Sequence, residues 1–192
     1  MMTKALDIAG KLAEPIDRIL FSEEEIQERV KSMGEQITLD YQGKDLLVIC
    51  ILTGALYFTA DLIRHIKIPM SLDFIAVSSY GDSTKTSGIA RITKDLEEDI
   101  EGRNILIVED IMDTGLTLDY LIKLLRLRKP ADIKICSLLN KPHRRTKENI
   151  QPDYKGFELD NFFVVGYGLD YKQKFRHLPF VCVFKDKFVP KQ

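Results

Sequence analysis

Apolar positions recur at two different periods along the chain, and the alternation of those periods predicts alternating helices and strands. Ile26, Val30, Met33 and Ile37 are spaced four, three and four apart, which puts them on one helical face. Ser22 and Glu25 ahead of them form a capping box. "DLLVICIL" (residues 45–52) carries no polar alternation and predicts a strand buried on both faces. Phe58, Leu62, Ile63 and Ile66 return to helical spacing until Pro69 stops them, and "SLDFIAVSS" (71–79) is again a strand. Residues 80–90, "YGDSTKTSGIA", are too polar and glycine-bearing for an element and predict a long loop. "NILIVEDI" (104–111) is a further strand, followed by a helix to about Lys129, a break at Pro130, and the strand "DIKICSLLN" (132–140).

Strands rich in Val, Ile and Leu that alternate with helices imply parallel connections and a sheet covered on both sides. The expected fold class is α/β, a doubly wound sheet. After residue 150 the pattern is shorter, with strands at "FFVVGYGL" (162–169) and "FVCVF" (180–184) flanking "DYKQKFRHLP". This tail is expected to form a small flanking subregion, and with no linker, repeat or low-complexity tract the 192 residues read as one domain.

Charge narrows the partners. The 28 basic and 29 acidic side chains nearly cancel, so no overall field points to nucleic acid or an anionic membrane, and a small molecule is the default ligand. Cys50, Cys136 and Cys182 lie far apart within strand-like runs, without a CxxC pair, and read as buried thiols of a reducing compartment. The first twenty residues lack the apolar region of a signal peptide, and no apolar run approaches a membrane span, so a cytoplasmic protein is expected. His65, His143 and His177 fall in no metal-ligand spacing, and no zinc is assigned.

The densest chemistry lies in "ILIVEDIMDTGLTL" (105–118), where four apolar residues are followed by three carboxylates within five positions. Ligands of parallel sheets bind beyond the carboxyl ends of the strands, which is where residues 109–117 fall. Thr114, Gly115, Leu116 and Thr117 would turn into the helix, offering free backbone N–H groups, a permissive glycine and two hydroxyls suited to a phosphate. Glu109 and Asp110 would repel that phosphate, so they must face a cation or a hydrogen-bond donor, and a sugar diol with magnesium satisfies both. A ribose 5-phosphate fits the pair of demands, and Asp113 remains for proton transfer. Helix-dipole and capping effects, about 0.3 to 1 kcal/mol each, would account for one or two carboxylates but not all three. Dinucleotide and P-loop glycine motifs are absent here.

"VEDIMDTGLTL" closely resembles the phosphoribosyl diphosphate signature of the type I phosphoribosyltransferases, in their hypoxanthine-guanine branch. "LTGA" (52–55), "SSYGDSTKTSG" (78–88), "LLNKP" (138–142) and "FFVVGYGLDYKQKFR" (162–176) match other segments of that branch in the same order, so the resemblance spans roughly residues 15–185. It implies the type I fold, a mostly parallel sheet with a hood built from parts of the N-terminal segment and residues from about 150 onward. The implied reaction is purine salvage: 5-phosphoribosyl 1-diphosphate and hypoxanthine or guanine give IMP or GMP and pyrophosphate, with Mg2+ as cofactor.

The same resemblance implies roles. Glu109 and Asp110 would bind the ribose hydroxyls and magnesium, Asp113 with Thr114, Gly115, Leu116 and Thr117 would hold the 5-phosphate, and Asp113 would exchange the N7 proton. Lys141 would donate to the 6-oxo group, Phe163 would stack on the purine, and the Val164 carbonyl would face its edge. Asp170 would line the purine side and hold a second magnesium, and Arg176 would contact pyrophosphate. Leu52, Thr53 and Gly54 match a pyrophosphate loop that in this family often contains a non-proline cis peptide. Many relatives carry Lys or Arg where this chain has Thr53, which leaves pyrophosphate to backbone N–H groups, Arg176 and metal. Ser79 and Tyr80, with the loop to about Ala90, match a lid that closes over the reactants and keeps water from the activated sugar carbon. Family members commonly form dimers or tetramers, so a homodimer or homotetramer is implied.

Three alternatives stand beside this one. A transferase for xanthine or adenine would keep the 109–117 segment and differ around Lys141 and residues 163–170. A regulator that senses the ribosyl diphosphate and binds nucleic acid is disfavoured by the near-neutral charge. A signalling receiver domain also opens with a strand like "ILIVED", but places it first, and no later core strand here clearly ends in Asp.

Overall fold

In the computed structural model, which describes residues 14–79, 90–147 and 149–189, the chain runs β1 (Ile16–Phe21), α1 (Glu23–Asp40), β2 (Leu46–Leu52), α2 (Leu56–His65), β3 (Met70–Ser79), β4 (Ala90–Lys94), β5 (Asn104–Met112), α3 (Leu116–Arg126), β6 (Asp132–Asn140), β7 (Tyr154–Glu158), β8 (Val164–Val165) and β9 (Val181–Phe184). The runs without polar alternation occupy the middle of a six-stranded sheet ordered β4-β3-β2-β5-β6-β7. All neighbours are parallel except β4, which pairs antiparallel with β3 at the edge.

Both faces of this sheet are covered, which is why its strands need no polar positions. Leu46 and Val48 of β2, with Leu106 and Val108 of β5, pack under Ile26, Val30, Met33 and Ile37 of α1 and Phe58 and Leu62 of α2. The alternate residues Leu47, Ile49, Ile105 and Ile107 meet Leu118, Leu121, Ile122 and Leu125 of α3 on the other side. The predicted capping box opens α1: the Glu25 N–H donates to Ser22 Oγ at 3.2 Å, and the Ser22 N–H donates to Glu25 Oε2 at 2.8 Å.

A second, three-stranded antiparallel sheet, β1-β9-β8, packs Val164, Val181 and Val183 on the main core and has a core of its own of Ile16, Val165, Phe175, Phe180, Cys182 and Phe184. We refer to this sheet, together with the connection from Leu159 that leads into β8, as the hood.

Several elements differ from expectation. α3 ends at Arg126, three residues short of Lys129, whose φ of 53° lies in the left-handed region. Only Val164–Val165 of the run 162–169 is strand, because Gly166, Tyr167 and Gly168 all take positive φ. β1, β4 and β7 are short edge strands with charged residues and carry no alternation strong enough to predict them. β7 joins the main sheet beside β6, so part of the stretch after residue 150 belongs to the core. The three cysteines are free and fully buried. His65 closes α2, and His143 and His177 are exposed. Among the described residues no helix is long and apolar enough to cross a membrane.

Candidate active site

From β2 the chain crosses through α2 to β3 on one side, and from β5 it crosses through α3 to β6 on the other, so a crevice opens at the carboxyl ends of β2 and β5. Two loops meet there. The loop after β2 holds a cis Leu52-Thr53 peptide, and Gly54 lies directly against the Asp110 carboxylate, with no room for a side chain. Gly168 of the hood packs in turn on the Gly54 carbonyl, again too closely for a β-carbon. Small residues at both positions let two backbone segments and the Asp110 carboxylate converge. Thr53 is exposed beside them.

Glu109 and Asp110, at the end of β5, are half-buried, and Glu109 Oε2 is sealed from solvent without a hydrogen-bond partner. Burial first, then the adjacent Asp110 charge, pushes the Glu109 pKa well above its ordinary value. Burial likewise raises Asp110 to about 6, opposed by its own-strand donor Ile111 N–H at 2.7 Å and by the Arg176 guanidinium. Two neighbouring acids in this setting resist joint ionisation, so the pair favours a ligand that brings positive charge or hydroxyl donors. Arg176 donates to the Gly168 carbonyl at 2.7 Å and pairs with Asp170 at 2.7 Å. Asp110, Asp170, Arg176 and Gly54 therefore share one corner of the crevice.

The other corner is the turn into α3. Gly115 is buried, is the N-cap of α3 and has φ of 80°, a conformation that suits glycine. Gly115 brings no side-chain cap, and the Leu116 N–H has a long contact, 3.4 Å, to Thr114 Oγ1, so the start of the helix keeps donor capacity for a ligand. The cavity here, about 90 Å³, is lined by Glu109, Met112, Asp113, Thr114, Gly115 and Thr117 among others. Anionic oxygens fit such a helix start, which supplies both donors and the positive end of the dipole.

Lys141 directly follows β6 and is only 8% exposed. Its N–H donates to the Met112 carbonyl at 3.0 Å, and its ammonium donates to the Phe162 carbonyl at 2.7 Å. Burial lowers the Lys141 pKa, and the Asp113 charge opposes the shift. Phe163 meets Tyr171 edge to face at 5.8 Å, and Val164 is buried. Ser79 ends β3, and Tyr80 lies outside the described residues.

The phosphoribosyl transferase domain model matches residues 20–172. The chain belongs to the phosphoribosyl transferase family. It is 53% identical over 170 residues to a hypoxanthine-guanine phosphoribosyltransferase of Bacillus subtilis, covering 88% of this chain and 94% of that protein. A protein of the same name from Streptococcus thermophilus is 45% identical over 180 residues, 94% of this chain and 99% of its own length. Among solved structures, a hypoxanthine phosphoribosyltransferase of Staphylococcus aureus superposes with a TM-score of 0.90 at 41% identity, covering 95% of this chain and 98% of that one.

Within this phosphoribosyl transferase fold the residues that sequence reasoning passed over lie just after Lys141. Arg144 Nε stands 2.8 Å from Asp113 Oδ1. Arg145 donates to Asn140 Oδ1 at 2.5 Å and lies against the Gly115 backbone. The Thr146 N–H and hydroxyl both donate to the Thr114 carbonyl at 3.1 Å. The signal available in sequence was the run "KPHRRTK" at a predicted strand end, where a solvated basic surface is the ordinary outcome.

Proposed function

We propose that this chain catalyses transfer of the 5-phosphoribosyl group from 5-phosphoribosyl 1-diphosphate to N9 of hypoxanthine or guanine, releasing pyrophosphate and forming IMP or GMP. One observation carries the reading: an uncapped helix start suited to phosphate lies beside a half-buried carboxylate pair suited to a diol, and both open into one crevice. The resemblance to named hypoxanthine-guanine phosphoribosyltransferases supports the choice of base.

In this proposal residues 113–117 hold the 5-phosphate through main-chain N–H groups and the Thr114 and Thr117 hydroxyls. Glu109 and Asp110 accept hydrogen bonds from the ribose 2- and 3-hydroxyls. Leu52, Thr53 and Gly54 present backbone to pyrophosphate, and Arg176 adds a multi-donor cation as negative charge develops on the leaving group. Lys141 donates to the 6-oxo group, Phe163 stacks on the purine and Val164 offers its carbonyl to the base edge. As N9 attacks carbon 1, Asp113 takes the N7 proton, which makes the base a better nucleophile.

Magnesium fits the donor set. Glu109 and Asp110 offer hard carboxylate oxygens, one of them orphaned, with Asp170 nearby, while no cluster of three or more ligating side chains occurs among the described residues. An ion that keeps waters and substrate oxygens suits such an incomplete set, and when bound it would neutralise the diphosphate. Ser79 and Tyr80 are proposed as the base of the lid. The chain as a whole is proposed to be one domain, cytoplasmic and a homodimer or homotetramer.

The test is a panel of hypoxanthine, guanine, xanthine and adenine assayed for pyrophosphate release with the sugar diphosphate and magnesium. Release with the first two bases is expected, and release confined to adenine or xanthine would overturn the assignment.

A further inference from the structure

Arg144 sits between two parts of the crevice that no backbone segment joins directly. It closes the short 3-10 turn Pro142–Arg144, where its N–H donates to the Lys141 carbonyl at 3.2 Å. One edge of its guanidinium, Nε, stands 2.8 Å from Asp113 Oδ1, and Nη1 donates to Asn161 Oδ1 of the hood at 2.9 Å. Lys141 grips the next hood residue through the Phe162 carbonyl at 2.7 Å. Two cations from one four-residue stretch, 141–144, thus hold residues 161–162, immediately before Phe163 and Val164.

We propose that Arg144 is a positioning residue that orients the Asp113 carboxylate through Oδ1 and fastens it to the hood at Asn161, setting the proton acceptor in register with the purine platform.

Asp113 has two oxygens, and only one can be presented to the base without ambiguity if the other is held. Oδ1 is sealed from solvent and receives no aligned hydrogen bond, so the hold is electrostatic. The side chain as a whole keeps 37% of its exposure, which leaves the Oδ2 side open toward the crevice. Lys141 and Arg145 add positive charge around the same carboxylate. Arginine suits the bridge because its planar fork offers donors along two edges at fixed geometry, which a lysine ammonium does not. This inference rests on Asp113 as the N7 proton acceptor.

The experiment is a double-mutant cycle on the full chain: Arg144→Ala and Asn161→Ala, each alone and combined with Asp113→Asn, with kcat and KM measured for hypoxanthine and for the sugar diphosphate. Arg144→Ala is expected to lower kcat roughly tenfold to a hundredfold, as misplacement of a reacting group does. The KM for the sugar diphosphate should stay within about twofold, because that binding does not involve Asp113 orientation. In the Asp113→Asn background Arg144→Ala should cost less than about twofold more, since the two residues act as a unit. Arg144→Lys should recover part of the kcat. Asn161→Ala, a change at an exposed side chain that leaves the fold intact, should give a smaller loss that also vanishes in that background. Losses that multiply across the cycle, or a change confined to KM, would overturn the role of Arg144. Ordinary kcat in Asp113→Asn alone would instead overturn the acid-base reading of Asp113.

Discussion

Gly54 abuts the Asp110 carboxylate so closely that a β-carbon at position 54 would overlap Oδ2 and Cγ. The loop after β2 and the acidic end of β5 are consequently fixed against each other by contact rather than by a hydrogen bond. Gly54→Ala is expected to push the two apart, destabilising the protein by about 1 to 3 kcal/mol as overpacking does. It should lower kcat/KM for the sugar diphosphate more than for the base. Urea unfolding with steady-state kinetics checks both, and an alanine variant with native values would mean that this contact places nothing.

Asp113→Asn keeps the shape of the side chain and removes its basicity. A fall in kcat of about 10²- to 10⁴-fold is expected, the usual contribution of a positioned acid-base group, with substrate binding changed less. Single-turnover kinetics beside equilibrium binding separates the two quantities.

Lys141 is nearly buried yet charged, a costly arrangement unless a partner uses it. Adenine carries an amino donor where hypoxanthine and guanine carry a carbonyl. Lys141→Gln can turn either an acceptor or a donor to that position, so discrimination against adenine should relax. A loss of roughly 10- to 100-fold in kcat/KM for hypoxanthine is expected, the value of one charge-assisted hydrogen bond. Unchanged ratios among the bases would remove Lys141 from the specificity role.

Asp73 joins the β3–β4 edge to the connection that follows it. It accepts the Phe74 and Glu97 N–H groups at 2.6 and 2.8 Å and faces Lys94 at 3.5 Å. Burial alone would raise its pKa, but these donors and Lys94 outweigh burial and hold it below 3.8. A carboxylate depressed in the folded state contributes stability above its unfolded pKa and loses it as pH falls through the folded value. Asp73→Asn should therefore be less stable than the parent at neutral pH, with the difference shrinking below about pH 4. Denaturant unfolding of both proteins from pH 7 to pH 3 measures it, and a constant difference would contradict the linkage.

The core was legible in sequence because each central strand buries both faces. Residues 45–52 carry no polar alternation and 132–140 hold an apolar centre, and β2 and β6 follow them within a residue. The capping box at Ser22 and Glu25 is a local rule and is obeyed locally. The edges were not legible, since β1, β4 and β7 gain their pairing from neighbours distant in sequence. The run 162–169 misled for a tertiary reason: Gly166 and Gly168 sit against the Phe180 and Gly54 carbonyls in backbone conformations no strand uses. At the site, the 109–117 segment was visible because its acidic and anion-binding features are contiguous. Arg144 escaped notice because its partner, Asp113, becomes a neighbour only when β5 and β6 pair.

The central claim is that main-chain N–H groups of residues 113–117 grip a sugar phosphate while Glu109 and Asp110 grip its diol. A crystal structure of the protein with IMP tests it most directly. The phosphate is expected at the start of α3, the ribose hydroxyls toward Glu109 and Asp110, and the purine beside Lys141 and Phe163. A nucleotide bound elsewhere, with residues 109–117 free of it, would contradict the account.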